Sequence, residues 1–336
     1  MNIYRIAKDN WDKLLREVIS CYQLYAPVES AGALDYVLIG AGTSGEIIYN
    51  TAKPVTPLKS FFLPFRQNVV HQTASNLTRV IMGVPACDLA ALELLDSIYL
   101  DPLFPDMQYM ERRNNTIIIG SDCYFLQNHC HCTVYDINPF PEKNCDLTLI
   151  ASDGNKYLQS FSTKGDAFIA FIQKVIQMED AGKQEVESIQ LKRILIKEEL
   201  TKKQQTVPGG TASKMLVTNA EHWFWKKHSK ECVSCGACAV ICPTCTCFLL
   251  SDRVGLEKVR LIDACQYPGF SRVAAGEDPL KQLSVRFSNR YMCKFVWKPD
   301  RFKVNACTGC GRCIEACIGK INKNEVMEDM AAQKVY

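Results

Sequence analysis

Two cysteine runs constrain this chain more than any other feature. The first, ECVSCGACAVICPTCTCF from Glu231 to Phe248, spaces Cys232, Cys235, Cys238 and Cys242 as C-x2-C-x2-C-x3-C, with Pro243 following. The second, ACTGCGRCIEAC, repeats that spacing at Cys307, Cys310, Cys313 and Cys317. Thiolates at i, i+3 and i+6 on one loop reach three corners of a cubane, whereas the fourth cysteine follows a segment that leads away and serves the other cluster. The spacing therefore predicts one [4Fe-4S] centre on Cys232, Cys235, Cys238 and Cys317, and a second on Cys307, Cys310, Cys313 and Cys242. Gly236 and Gly311 fall between ligands, where a missing side chain lets backbone N–H groups turn toward sulfur. Zinc sites space two CxxC pairs well apart, so a doubled four-cysteine run is not their pattern.

A chain of 336 residues, 47% apolar and 22% charged, is long enough for two globular domains. Its net charge of +3 provides no basic arm or face for nucleic acid. The N-terminus, MNIYRIAKDNWDK, lacks the apolar core of a signal peptide, and no run of eighteen apolar residues marks a membrane span. Eighteen cysteines in such a chain indicate a reducing, cytoplasmic setting with metal-bound or buried thiols rather than disulfides.

Along the chain, apolar spacing predicts a helix over residues 10–20, capped by Asn10, with Trp11, Leu14, Leu15, Val18 and Ile19 on one face. Tyr36 to Ile39 reads as a strand. The following GAGTSG places Gly40, Gly42 and Gly45 in a G-x-G-x-x-G match, but EIIYNTAK then runs into Pro54 and Pro57 with no long helix and no suitably spaced acid. A glycine-turned hairpin is expected there, not a dinucleotide site. Val80 to Val84 forms a buried strand, followed by Cys87 and a helix that Asp88 caps, with Leu89, Leu92, Leu95 and Tyr99 buried. In TIIIGSDC, Ile117 to Ile119 is a second strand with Cys123 just past its end. Parallel neighbours would bring Cys87 and Cys123 out on the edge of the sheet where open α/β folds hold ligands. Cys130 and Cys132, in NHCHC, complete a set of four, with His129 and His131 as spare nitrogen ligands. A third [4Fe-4S] centre, a zinc site and buried structural thiols are the readings this spacing leaves open.

An amphipathic helix is expected between Phe161 and Met178. The polar, glycine-bearing TKKQQTVPGGTASK, residues 201–214, then marks a boundary between an α/β domain, 1–205, and an α-helical ferredoxin-like domain, 216–336, that binds two [4Fe-4S] clusters. AEHWFWKKHSK gives a short helix whose Trp223 and Trp225 shield a cluster or pack the core. The long segment between the runs suits several short helices. Its Cys245, Cys247 and Cys265, with Cys293, read as buried thiols near clusters, with a ligand swap as the alternative. No G-x-S-x-G, P-loop or H-E-x-x-H occurs, so catalysis of a bond-making kind is not expected from this chain alone.

With these motifs in place, the chain resembles the iron-sulfur beta subunit of cytosolic NAD(P)-linked nickel-iron hydrogenases, the sulfhydrogenases, and the related A subunit of anaerobic siroheme sulfite reductases. The resemblance is carried by LYAPV at Leu24, PLKSFF at Pro57, GVPACDLAALELLDSIYLD at Gly83, ERR at Glu111, IIIGSDC, CHC, CVSCGACAVICPTCTCF, DACQYPGFSRVAAG and CTGCGRC, and it covers nearly the whole length. It implies an electron relay between a flavin-bearing, NAD(P)H-linked diaphorase subunit and a catalytic subunit. Its C...C-x6-C-x-C pattern matches Cys87, Cys123, Cys130 and Cys132. NRYMCK at Asn289 looks more like the hydrogenase branch than the sulfite reductase branch. Ile318, where the resemblance leads one to expect proline, and AAGEDP after DACQ depart from the pattern. A rival expectation is that the N-terminal cysteine set carries a substrate-binding cluster, so that this chain itself reduces a sulfur compound.

Overall fold

The β-branched runs at Val80 and Ile117 lie at the centre of an eight-stranded sheet in the computed structural model, which describes residues 3–40, 42–43, 46–51, 53–70, 78–255 and 257–333. In chain order the first part runs β1 (Ile3–Ile6), α1 (Lys8–Cys21), β2 (Gln23–Ser30), β3 (Ala33–Leu38), β4 (Arg66–Asn68), β5 (Arg79–Pro85), α2 (Ala86–Tyr99), α3 (Met107–Asn114), β6 (Thr116–Ser121), β7 (Leu147–Ser152), β8 (Asn155–Ser160), α4 (Thr163–Val175), β9 (Glu179–Asp180) and α5 (Lys183–Lys203). The second part adds α6 (Gly210–Asn219), α7 (His222–His228), α8 (Ala237–Val240), β10 (Phe248–Arg253), β11 (Glu257–Ile262), α9 (Leu283–Met292), a π turn (Cys293–Trp297), α10 (Lys298–Phe302), α11 (Arg312–Glu315) and α12 (Lys323–Ala332).

The large sheet has the order β3-β2-β5-β6-β7-β8-β1-β9, with β2, β5, β6 and β7 parallel and the outer strands antiparallel. Side chains alternate across a strand, and β5 and β6 are apolar on both sides. Val80, Met82, Ile117 and Ile119 pack with Trp11 of α1 and Phe168 of α4. Ile81 and Ile118 pack with Leu89 and Leu92 of α2 and Tyr109 of α3. A three-layer α/β/α body results, with the parallel strands sealed on both faces.

The carboxyl end of β5 is bent. Register against β6 shifts between Met82 and Val84, and Gly83 sits there at φ +77. A Cβ at Gly83 would stand 2.6 Å from the Pro27 ring, so neither the backbone conformation nor the space admits a side chain. The bulge re-aims the chain just before Cys87, which lies in the first turn of α2.

Several local expectations are corrected. Helix α1 starts at Lys8, with extended Ala7 as its N-cap, while Asn10 donates to the Gln177 carbonyl (3.3 Å). Asp88 does not cap α2, whose N-cap is Pro85; its carboxylate instead accepts from Leu58 N–H and pairs with Arg312. The glycine turn after β3 is not its own hairpin. β3 pairs back on β2, and Ile47 returns to bridge Val28 of the same strand rather than starting a helix. Gly45 lies outside the described residues. Polar 201–214 is also not a bare linker, since α5 continues to Lys203 and α6 begins at Gly210.

The segment between the cysteine runs holds a β-hairpin as well as helices. FLLSDR and EKVRLI pair antiparallel across a turn at Gly255 (φ +87), and β4, from the first part of the chain, pairs with β11 as the third strand. The apolar Phe248 to Leu250, the Gly255 turn and the alternating Val259, Arg260 and Leu261 are the signal that was available. The two parts interlock elsewhere too, for Tyr135 enters the apolar cluster built by Trp225, Phe287, Tyr291 and Met327.

Candidate metal centres

The two cysteine runs fold alike. Ser234 (φ 56) and Gly236 (φ 72) in the first correspond to Gly309 (φ 65) and Gly311 (φ 75) in the second, and each run then enters a one-turn helix, α8 or α11. Left-handed residues alternating with ordinary ones turn successive N–H groups to one side, a concavity suited to an anionic sulfur cluster. The glycines have a second task. A Cβ on Gly311 would lie 2.5 Å from the His129 carbonyl oxygen, and one on Gly236 would lie 2.5 Å from the Tyr267 ring. Gly311→Ala is therefore expected to cost about 1–2 kcal/mol for the left-handed backbone and to push on the loop bearing Cys130. Iron content should fall together with the melting temperature, and an unchanged iron content would contradict this.

Cys232, Cys235, Cys238 and Cys317 line one cavity together with Gln266, Arg290 and Tyr291, and Cys313 of the other run also stands on its wall. Ile321 N–H donates to Cys317 Sγ at 3.3 Å. Around the second set, Cys310 has Cys242 and Cys313 as charge neighbours, and Lys294 faces both Cys242 and Cys307. Cys87, Cys123, Cys130 and Cys132 line a third cavity, with Cys310 again on the wall. Cys87 and Cys123 arrive there from the carboxyl ends of adjacent parallel strands, as expected. The Cys130–Cys132 loop is held against the second run by His131 N–H to Gly309 O (2.8 Å). Among the described residues no three His, Cys, Asp or Glu side chains close on a single-ion site. The thiols border cavities instead.

His129 and His131 are not on the wall of the third cavity. His131 is buried, its Nδ1 is 2.7 Å from the His129 carbonyl, and burial holds its pKa well below the usual value, so the ring is neutral. Burial likewise pushes the Cys87 and Cys123 thiols well up, with Asp88 adding to the effect at Cys87 and Cys132 at Cys123. Such thiols stay protonated until a metal replaces the proton, so loading releases protons and is favoured by rising pH.

Cations surround the sets. Lys53 is buried, pairs with Glu315 (2.8 Å) and Gln127, and lies 3.9 Å from Cys130 Sγ. Arg312, between the second and third sets, is buried and bidentate to Asp88. Arg290 Nε, beside the first cavity, and Thr308 Oγ1, next to Cys307, are buried without a protein partner. Orphaned donors next to cysteine-lined cavities fit residues that hold an acceptor-rich sulfur cluster.

Cys265 is buried, and Cys245, Cys247 and Cys293 are half-buried. Cys245 lies beside Cys242, and Cys265 beside Cys247 and Cys238, so these thiols border the sets. Trp225 packs in the core, but Trp223 is 52% exposed and shields nothing. The sequence reading passed over Lys53, Lys59, Lys294 and Arg312. A lysine set inside an apolar run, as in PLKSFF and MCKFVW, was the available sign.

Residues 231–321 match the family described as a 4Fe-4S dicluster domain. Over 320 residues the chain is 26% identical to "Sulfhydrogenase 2 subunit beta" of Pyrococcus furiosus, a match that spans 92% of each chain. The C-terminal part is thus a 4Fe-4S dicluster domain, and the resemblance to a sulfhydrogenase beta subunit holds over nearly the full length. No helix among the described residues is long and apolar enough to cross a membrane.

Proposed function

We propose that this chain is an electron-relay subunit that holds three [4Fe-4S] clusters: on Cys232, Cys235, Cys238 and Cys317; on Cys307, Cys310, Cys313 and Cys242; and on Cys87, Cys123, Cys130 and Cys132. One observation carries the reading. Cys310 stands on the wall of the third cavity and Cys313 on that of the first, so ligands of the second set touch both neighbours. The three sets are contiguous, with the second in the middle. Bound there, the clusters would supply one-electron storage at potentials set by burial and by hydrogen bonds to sulfur.

The protein's own residues hold this line rigid. The Arg312–Asp88 pair fixes α11 against α2, and Gly309 and Gly311 let the Cys130 loop close on the second run. We place the α/β unit at 1–205 and the dicluster unit at 216–336, with the third set in the former. The relative's name supports a hydrogenase-type complex, in which this subunit passes electrons between a flavin-bearing, NAD(P)H-linked diaphorase subunit and a nickel-iron catalytic module in the cytoplasm.

Anaerobic affinity purification of the tagged chain tests the assignment of partners. Flavin and nickel are expected to co-purify on separate polypeptides. A siroheme protein in their place would make the chain a sulfite reductase subunit, and turnover of polysulfide by the isolated chain would make it the reductase.

A further inference from the structure

The Cys242 sulfur has a buried ammonium group against it. Lys294 Nζ donates to it at 3.1 Å, and Thr244 Oγ1, whose own proton goes to Ala306 O (2.6 Å), lies 3.2 Å away. Lys294 also donates to Thr244 Oγ1 and to Ala306 O, both at 2.8 Å. Two more lysines hold the same loop from separate elements: Lys59 Nζ donates to Cys245 O (3.0 Å), and Lys298 Nζ to Thr244 O (2.7 Å) and Thr246 Oγ1 (3.1 Å). The partners of these three ammonium groups are carbonyls, hydroxyls and the Cys242 sulfur. Lys53, near Cys130, instead pairs with the Glu315 carboxylate.

Lys294 and Lys59 are buried, at 5% and 3% exposure. A buried ammonium group without a carboxylate is costly unless an anion answers it, and the neighbouring anion here is a ligand thiolate. The π turn serves this arrangement. It continues α9 into α10, carries Lys294 and leads directly into Lys298, so that both side chains reach the loop after Cys242. π turns are rare and recur at functional sites.

We propose that Lys294, held by Thr244 and the Ala306 carbonyl, forms a cationic cradle on the Cys242 sulfur that raises the reduction potential of the second thiol set. The inference rests on the cluster assignment above. Reduction adds negative charge to a cluster and its thiolates, and a fixed cation beside one of those sulfurs, in a poorly solvated site, stabilises the reduced form. Lys294 is a positioning residue here, since it acts through Cys242.

The test is a redox titration of the full anaerobically purified chain, followed by low-temperature EPR, with iron counted on every sample. In the wild-type chain the signal that Cys242→Ser removes marks the second set. In Lys294→Met its midpoint should fall while the other signals stay in place, and Lys294→Arg should largely restore it. Lys298→Met is the control, because Lys298 ties the same loop without touching the sulfur. If Lys298→Met and Lys294→Met shift the midpoint equally, or Lys294→Met shifts nothing at full iron content, the cradle is overturned. Thr244→Val removes the hydroxyl that helps hold Lys294 against Cys242 and should give a smaller downward shift even if Lys294→Met does not fold. Absence of any iron-sulfur signal in the wild-type chain would instead defeat the cluster assignment.

Discussion

Replacing Cys310 by serine is expected to reduce electron transfer through the assembled complex to background while leaving the partners' separate half-reactions intact. Cys310 is assigned to the middle set and also stands on the wall of the third cavity, so its loss is expected to interrupt the line between the second and third sets. The measurement compares NAD(P)H-linked turnover, which needs the whole line, with dye-linked activities at each end, which do not. Unchanged NAD(P)H-linked turnover would mean a sensor or a scaffold instead. Cys310 is buried, and Arg312 only partly offsets the burial that raises its pKa. Serine, a far poorer iron ligand than thiolate at that position, should lower iron content as well.

Arg312→Met is expected to destabilise the protein by about 3–5 kcal/mol, because it leaves the Asp88 carboxylate buried without its partner. The pair is almost inaccessible, at 2% and 0% side-chain exposure, and bidentate at 2.5 and 2.8 Å. Its remaining capacity is also used: Arg312 Nε donates to Pro54 O (2.9 Å), and Asp88 Oδ2 accepts from Leu58 N–H. In a chain of this size the loss corresponds to a melting-temperature drop of about 4–7 °C. Thermal unfolding of the metal-free chain checks it. Arg312→Met combined with Asp88→Leu should recover most of the loss, since an apolar pair carries no stranded charge. A single variant as stable as the wild type would show that the pair is dispensable to the junction between α2 and α11.

What could be read from sequence depended on range. The ferredoxin spacing is local, so Cys232, Cys235 and Cys238 could be grouped by counting, and crossing to Cys317 followed from the doubling of the run. The convergence of Cys87, Cys123 and the NHCHC cysteines needed one topological step, the parallel pairing of β5 and β6, and the β-branched runs supplied it. Capping was misread at both Asn10 and Asp88 because a side chain that can cap can also be recruited by a distant partner, and Arg312 lies 224 positions from Asp88. The β10–β11 hairpin was overlooked because the cysteine runs on either side suggested helices, although a glycine turn at Gly255 and the alternating Val259, Arg260 and Leu261 pointed to strands. The apolar settings of Lys59 and Lys294 hinted at burial, but the loop they hold could not be placed, since Lys59 comes from one segment, Lys294 and Lys298 from another, and they meet Cys242 only in the fold.

Iron and acid-labile sulfide per chain, counted on anaerobically purified protein beside low-temperature EPR after dithionite, tests the three-centre line most directly. The account predicts about twelve of each, three cubanes' worth. About eight of each would contradict it, leaving two clusters in the dicluster domain and returning Cys87, Cys123, Cys130 and Cys132 to structural thiols or zinc.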